Sequence, residues 1–278
     1  MTPLRIASFS ADGSGGNPAG VVISDHLPDP DQMQSIAAEL GFSETAFATP
    51  EGDAWRVRYY APVGEVAFCG HATIALGAAL GAQKGAGQFD LNLRDAKITV
   101  DAMQESGVWQ AALQSPETWS KPLDDELAVQ LLSLFSLTRE DLEPMLPPTL
   151  AFAGVKHAVL TLKDRTKLAQ MSYPFEPMRA LMAEHDLVTV SLLYINGPRL
   201  FEARNAFASG GVVEDPATGA AAAALGGALV DMNWDGLRTG GSFEISQGVD
   251  MGAPSRLTVN VTGRPGASVR VSGAVRWM

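Results

Sequence analysis

Residues 65–80 read Glu-Val-Ala-Phe-Cys-Gly-His-Ala-Thr-Ile-Ala-Leu-Gly-Ala-Ala-Leu. The pattern returns 149 residues later, at 214–229, as Glu-Asp-Pro-Ala-Thr-Gly-Ala-Ala-Ala-Ala-Ala-Leu-Gly-Gly-Ala-Leu. Eight of the sixteen positions are identical, among them Glu65/Glu214, Gly70/Gly219, Leu76/Leu225, Gly77/Gly226 and Leu80/Leu229. In a chain of 278 residues this spacing implies two similar halves, because solenoid repeats recur every 20–50 residues or so. Both copies have the composition of a helix built from small residues, against which a sheet can pack closely. The fold class that follows is α+β: two pseudo-symmetric lobes, each a strongly curved, mostly antiparallel sheet around a central small-residue helix. Small molecules bind in clefts between lobes, so function is expected at the two helix starts.

The expected division is an N-terminal lobe at 1–118, joined by a C-terminal strand at 267–278, and a C-terminal lobe at 119–278. The proline-bearing stretch 115–124 serves as linker. Other local expectations are a glycine-rich loop over 12–20, strands over 42–49 and 55–60, helices over 29–41 and 139–145, and the repeated helices near 71–81 and 218–232. A net charge of −11 argues against nucleic acid or an anionic membrane surface as partner. The first residues lack the basic and apolar regions of a signal peptide, and no breaker-free apolar run approaches roughly 18 residues. The single cysteine, Cys69, excludes an internal disulfide and fits a reducing cytosol, so a cytoplasmic protein is expected.

Candidate chemistry starts at the helix N-termini. Gly70 and Gly219 leave backbone N–H donors unshielded at the positive end of a helix dipole, where a carboxylate or oxyanion can bind; the plainer reading is that they permit a tight turn. His71 stands on the first turn, where the dipole favours a neutral ring able to accept or pass a proton. Asp215 precedes the second helix without a counterpart in the first copy. It is either a cap or an acid that orients His71 or holds a substrate ammonium. Glu44, in Phe42-Ser43-Glu44-Thr45-Ala46, falls on the same strand face as Phe42 and Ala46. Partial desolvation there would raise its pKa and suit acid/base work, unless that face meets solvent. Glu65 and Glu214 read as structural, bonding backbone N–H groups or fixing a loop. Cys69 aligns with Thr218, which offers no thiolate, so a symmetric two-thiol epimerase is excluded. Four scattered histidines and one cysteine show no metal-ligand spacing, so neither a metal nor a cofactor is expected.

Together these residues resemble the PhzF-like (phenazine biosynthesis) family, which shares its fold with diaminopimelate epimerase. The resemblance covers most of the chain. Its marks are Gly16-Asn17-Pro18-Ala19-Gly20-Val21-Val22, Ser43-Glu44-Thr45-Ala46-Phe47, Pro62 with Glu65, Cys69-Gly70-His71-Ala72-Thr73, Glu214-Asp215-Pro216-Ala217-Thr218-Gly219, and Ile245-Ser246-Gln247-Gly248 followed by Pro254-Ser255-Arg256. It implies a homodimeric, cofactor-independent isomerase acting on a small carboxylate, similar to trans-2,3-dihydro-3-hydroxyanthranilate isomerase. Glu44 would take a proton from one carbon and redeliver it to another. His71 and Asp215 would polarise the substrate, and the segments around Cys69, Gly70, Thr218, Gly219 and Ala220 would hold it. Two departures stand out. Ala220 replaces the family's usual serine, and Ala253 replaces the arginine of Gly-Arg-Pro-Ser, which together point to a changed substrate. The competing readings are a catalytically idle binding protein of the same family and a Cys69-dependent hydrolase.

Overall fold

The computed structural model describes residues 2–94 and 96–278. The chain forms two compact units, Met1–Gln114 with Ser272–Met278, and Ser115–Val271.

In unit 1, β1 (Leu4–Ser8) and β2 (Asn17–Ile23) form an antiparallel hairpin, followed by α1 (Pro30–Leu40). The strands β3 (Thr45–Glu51), β4 (Ala54–Ala61) and β5 (Gly64–Val66) lead into α2 (Gly70–Lys84), and β6 (Gly87–Asn92), β7 (Lys97–Glu105) and β8 (Val108–Gln114) follow. Neighbouring strands run antiparallel except β2–β3 and β4–β6. Asp29 caps α1 by accepting from the Gln32 N–H at 3.3 Å, and Gly41 ends it at φ 67°, where glycine is unstrained. Every residue of α2 from His71 to Gly81 is buried. The helix packs against β1, β2, β3, β6, β7 and β8, so it has no solvent face and needs none of the usual amphipathic alternation. Close approach is why glycines recur: a Cβ at Gly77 would lie 2.4 Å from Val100 Cγ2.

Unit 2 repeats this topology. The strands β9 (Thr118–Pro122), β10 (Thr149–Ala153) and β11 (Lys156–Leu162) are antiparallel neighbours, and helices α3 (Asp125–Leu134), α4 (Arg165–Ala169) and α5 (Phe175–Glu184) surround them in sequence. Next come β12 (Leu187–Gly197), β13 (Leu200–Ala206) and the two-residue β14 (Glu214–Asp215), then α6 (Gly219–Asp231), β15 (Gly241–Gln247) and β16 (Ser255–Val261). Parallel pairing occurs at β11–β12 and β13–β15, the counterparts of β2–β3 and β4–β6. Helix α6 is buried from Ala221 to Val230 and packs on β9, β10, β11 and β16. Its Gly226, the repeat mate of Gly77, would place a Cβ 3.0 Å from Val259 and Val269. An outer apolar layer joins α3, α4 and α5 through Leu131, Leu168, Met178 and Met182 to Leu160 and Leu192. The last strand, β17 (Arg270–Trp277), carries the chain back to pair antiparallel with β1, Ile6 opposite Trp277.

The architecture is α+β. Several local expectations need correction. The unit boundary falls after Gln114 rather than 118, and the returning segment starts at Ser272 rather than 267. Ser115 explains this, because its N–H donates to Val269 O at 2.8 Å and its Oγ accepts from Val269 N at 2.9 Å, which ties it to unit 2. The expected linker contains β9, where Trp119 stacks on Phe152 at 5.1 Å. Pro122 ends that strand, where a missing N–H costs little. Residues 17–20 belong to β2, not a loop, because Asn17 and Pro18 pair with Ser8 and Ala7. Over 139–145 only one 3-10 turn forms, Arg139–Asp141. Leu142 then turns extended and bridges to Leu162. Finally, β3 begins at Thr45, so Glu44 precedes the strand and its orientation is not set by strand alternation.

Candidate active site

In unit 1 the segment 42–44 connects the end of α1 to β3, and Glu44 O accepts from Gly20 N at 3.1 Å. That bond anchors the residue to β2 and turns its side chain toward the start of α2. The opposite wall is equally fixed. Cys69 is the N-cap position of α2 in extended conformation and makes no side-chain cap bond. Its carbonyl accepts from Thr73 N at 3.0 Å and from Thr73 Oγ1 at 2.7 Å. Thr73 Oγ1 in turn meets the Tyr59 hydroxyl at 2.6 Å, and burial pushes that phenol well above its ordinary pKa. Ser8 Oγ donates to His71 O at 2.7 Å.

Three reactive groups thereby meet. Glu44 Oε2 lies 3.5 Å from His71 Nε2 and 3.4 Å from Cys69 Sγ, and Cys69 Sγ lies 3.3 Å from His71 Nδ1. Ser43 Oγ is 3.3 Å from the same Nε2. Cys69 and His71 are each 8% exposed and the Glu44 side chain 19%, so the group is mostly shielded from solvent. Residues far apart in the sequence thus supply one carboxylate, one imidazole and one thiol within 4.8 Å of each other. Such a set can hold a proton, or a metal ion. Ligand spacing in the sequence did not reveal this grouping, since Glu44 stands 25 residues from Cys69 and no spacing rule reaches that far.

In unit 2, Asp215 is 8% exposed and its Oδ2 accepts from Thr218 Oγ1 at 2.5 Å. Gln247 braces both residues. Its Nε2 donates to Asp215 O at 2.6 Å and to Thr218 Oγ1 at 3.1 Å, while its Oε1 accepts from Thr218 N and Asn205 Nδ2, both at 3.3 Å. Thr218, the N-cap position of α6, makes no side-chain cap bond either. Gly219 is the first residue of that helix and Ala220 the second, half-buried with no polar group to offer. Neither Gly70 nor Gly219 has a positive φ, so the turn does not by itself demand glycine at either position.

Glu65 and Glu214 each pair with an arginine. Arg58 and Glu65 form a two-bond fork at 2.8 and 2.6 Å, and Arg204 and Glu214 form another at 3.0 and 2.5 Å. The registers correspond: Tyr60 pairs with Glu65 and Ala206 with Glu214, and each arginine stands two residues earlier. These carboxylates hold both guanidiniums charged, raising their pKa further. Ser43, Asn205 and Gln247 received no role from the sequence. Ser43 and Gln247 lie inside the motifs quoted above, so the signal was present as neighbours of better-known residues.

A family model for phenazine biosynthesis-like proteins matches residues 6–277. The chain belongs to the phenazine biosynthesis-like (PhzF) family. The uncharacterized isomerase YddE of Escherichia coli O157:H7 is 30% identical, over 97% of this chain and 94% of that one. The trans-2,3-dihydro-3-hydroxyanthranilate isomerase of Pseudomonas chlororaphis is also 30% identical, over 96% of this chain and 92% of its own length. Among solved structures, a PhzF-family phenazine biosynthesis protein of Bacillus anthracis superimposes with a TM-score of 0.87 at 22% identity, covering 100% of this chain and 98% of that one. These likenesses fit the PhzF fold described above, with a small-residue helix at the centre of each unit.

Proposed function

We propose that this PhzF-family chain is an isomerase that shifts a proton on a small carboxylate-bearing substrate, with Glu44 as the acid/base. The observation that carries this reading is the placement of the Glu44 carboxylate at 3.4–3.5 Å from both Cys69 and His71, mostly out of solvent. A general base must come within hydrogen-bond reach of its proton and be held there by neighbours, and Glu44 is held by the anchored segment that carries it. An isomerisation needs no net donor or acceptor, since one carboxyl group can remove a proton from one carbon and return it to another. His71 polarises the substrate and keeps Glu44 oriented. Gly70 and the residues flanking it bind the substrate. The relative from Pseudomonas chlororaphis names an activity of this class, while Ala220 and Ala253 favour a different substrate. A cytosolic homodimer working without a cofactor belongs to the same reading.

The test is solvent exchange. In deuterated water, wild-type protein should incorporate deuterium into its substrate, and Glu44→Gln should lose at least about 100-fold of that rate, the usual contribution of a positioned acid/base. Equal incorporation by both proteins removes Glu44 from the chemistry. The hydrolase reading draws its support from the 3.3 Å approach of Cys69 Sγ to His71 Nδ1; unchanged turnover in Cys69→Ser ends it.

A further inference from the structure

The geometry points to a use of the same three side chains that acid/base catalysis does not require: we propose that Glu44, Cys69 and His71 bind a thiophilic divalent cation, zinc(II) above others, and that the bound ion inhibits. Neighbouring ligands on a tetrahedral zinc, bound at about 2.0–2.3 Å, sit roughly 3.3–3.6 Å apart. Here Glu44 Oε2 to Cys69 Sγ is 3.4 Å, Glu44 Oε2 to His71 Nε2 is 3.5 Å, and Cys69 Sγ to His71 Nε2 is 4.0 Å. Two edges already match, and the third is longer because Cys69 Sγ sits nearer Nδ1, at 3.3 Å, so the ion must draw the sulfur toward Nε2.

The donor set selects the metal. One sulfur, one imidazole nitrogen and one carboxylate oxygen suit zinc, or cobalt(II) in its place, whereas magnesium and calcium prefer oxygen alone. Three protein ligands leave a fourth position for water or substrate. Binding forms a metal–sulfur bond as the Cys69 thiol releases its proton to buffer, and no oxidant or reductant takes part. The backbones that present the ligands are already fixed, Cys69 through Thr73, His71 through Ser8 and Glu44 through Gly20, so little ordering is left for the ion to impose. Inhibition rests on the acid/base reading, because the ion would occupy the carboxylate and imidazole that move and guide the proton. Binding itself does not depend on that reading.

Cobalt(II) titration of chelator-treated protein, followed by absorbance, tests the site without turnover. A thiolate-to-cobalt charge-transfer band should rise to one equivalent and be displaced by one equivalent of zinc. Cys69→Ser should abolish the band and weaken zinc binding by about tenfold or more, and His71→Asn should weaken it comparably, with circular dichroism showing both variants folded. No band in the wild type, or zinc binding unchanged in both variants, overturns the site. Zinc should also slow deuterium exchange in the wild type, with recovery on chelation. A cobalt band without such slowing overturns the inhibition alone, while exchange that survives Glu44→Gln would instead overturn the acid/base reading.

Discussion

At the scale of single residues, the two arginine forks show how similar contacts can differ in worth. The Arg204–Glu214 pair keeps only 11% and 5% of its side-chain surface exposed, against 27% and 20% for Arg58–Glu65. Removing one partner of a buried pair strands the other charge, a cost of about 3 kcal/mol or more, whereas a pair that water reaches is worth about 1 kcal/mol. Glu214→Gln should therefore lower the urea midpoint well below that of Glu65→Gln. Similar losses from both would show that water reaches the second fork as easily as the first. Gly70 makes the opposite case. A Cβ there would meet only Leu113 Cδ2, at an ordinary 3.8 Å, so Gly70→Ala should leave stability within about 1 kcal/mol of wild type. If the N–H groups it uncovers bind substrate, the same change should raise the substrate concentration needed for half-maximal exchange. A large stability loss would make Gly70 a packing residue instead.

Among the elements, the central helices are held by what they lack. Gly77→Ala adds helix propensity worth about 1 kcal/mol, but its Cβ would come within 2.4 Å of Val100 Cγ2. Val100 is fully buried and β-branched, hence stiff. Overpacking of this kind costs about 1–3 kcal/mol, so thermal unfolding should show a net loss; a gain in melting temperature would mean the sheet yields. The repeated glycines made these helices readable from sequence, and the alternation of Trp55, Val57 and Tyr59 did the same for β4. The deeper repeat was not readable. The parallel pairs β2–β3 and β11–β12, each bridged by helix, correspond in topology without resembling each other in sequence, because a sheet asks only for apolar alternation while a buried helix contact asks for particular small residues. Glu44 was singled out for a partly wrong reason. It lies just before its strand, and a backbone bond from Gly20, rather than pleat alternation, presents it. The contacts of Ser43 with His71 and of Gln247 with Asp215 were missed because such contacts leave no periodic trace.

For the whole molecule, buried His157 links stability to acidity. It is fully buried, with Nδ1 2.8 Å from Thr189 Oγ1, and burial pushes its pKa down to about 3. In the unfolded chain a histidine titrates near 6.5 or so. Between those values the unfolded state binds more protons, so stability is full above the higher value and declines as pH falls toward the lower. The slope contributed is up to about 1.4 kcal/mol per pH unit. Urea unfolding from pH 7 to pH 4 should show this slope diminished by that amount in His157→Gln, and identical slopes in the two proteins would assign the acid sensitivity elsewhere. No helix among the described residues is long and apolar enough to cross a membrane, and the net charge of −11 is carried by 31 acidic against 20 basic residues.

One sulfhydryl in 278 residues, set at the mouth of α2 and 8% exposed, gives the chain a built-in reporter. A thiol-directed label can attach at a single place, so every modified molecule records one event, the parting of Glu44 and His71 from the sulfur between them. The labelling rate of the native protein, divided by that of the denatured chain, yields the equilibrium constant for that opening. Any compound that settles among these side chains should slow the labelling in proportion to its occupancy, so that candidate substrates can be ranked before a single turnover is observed.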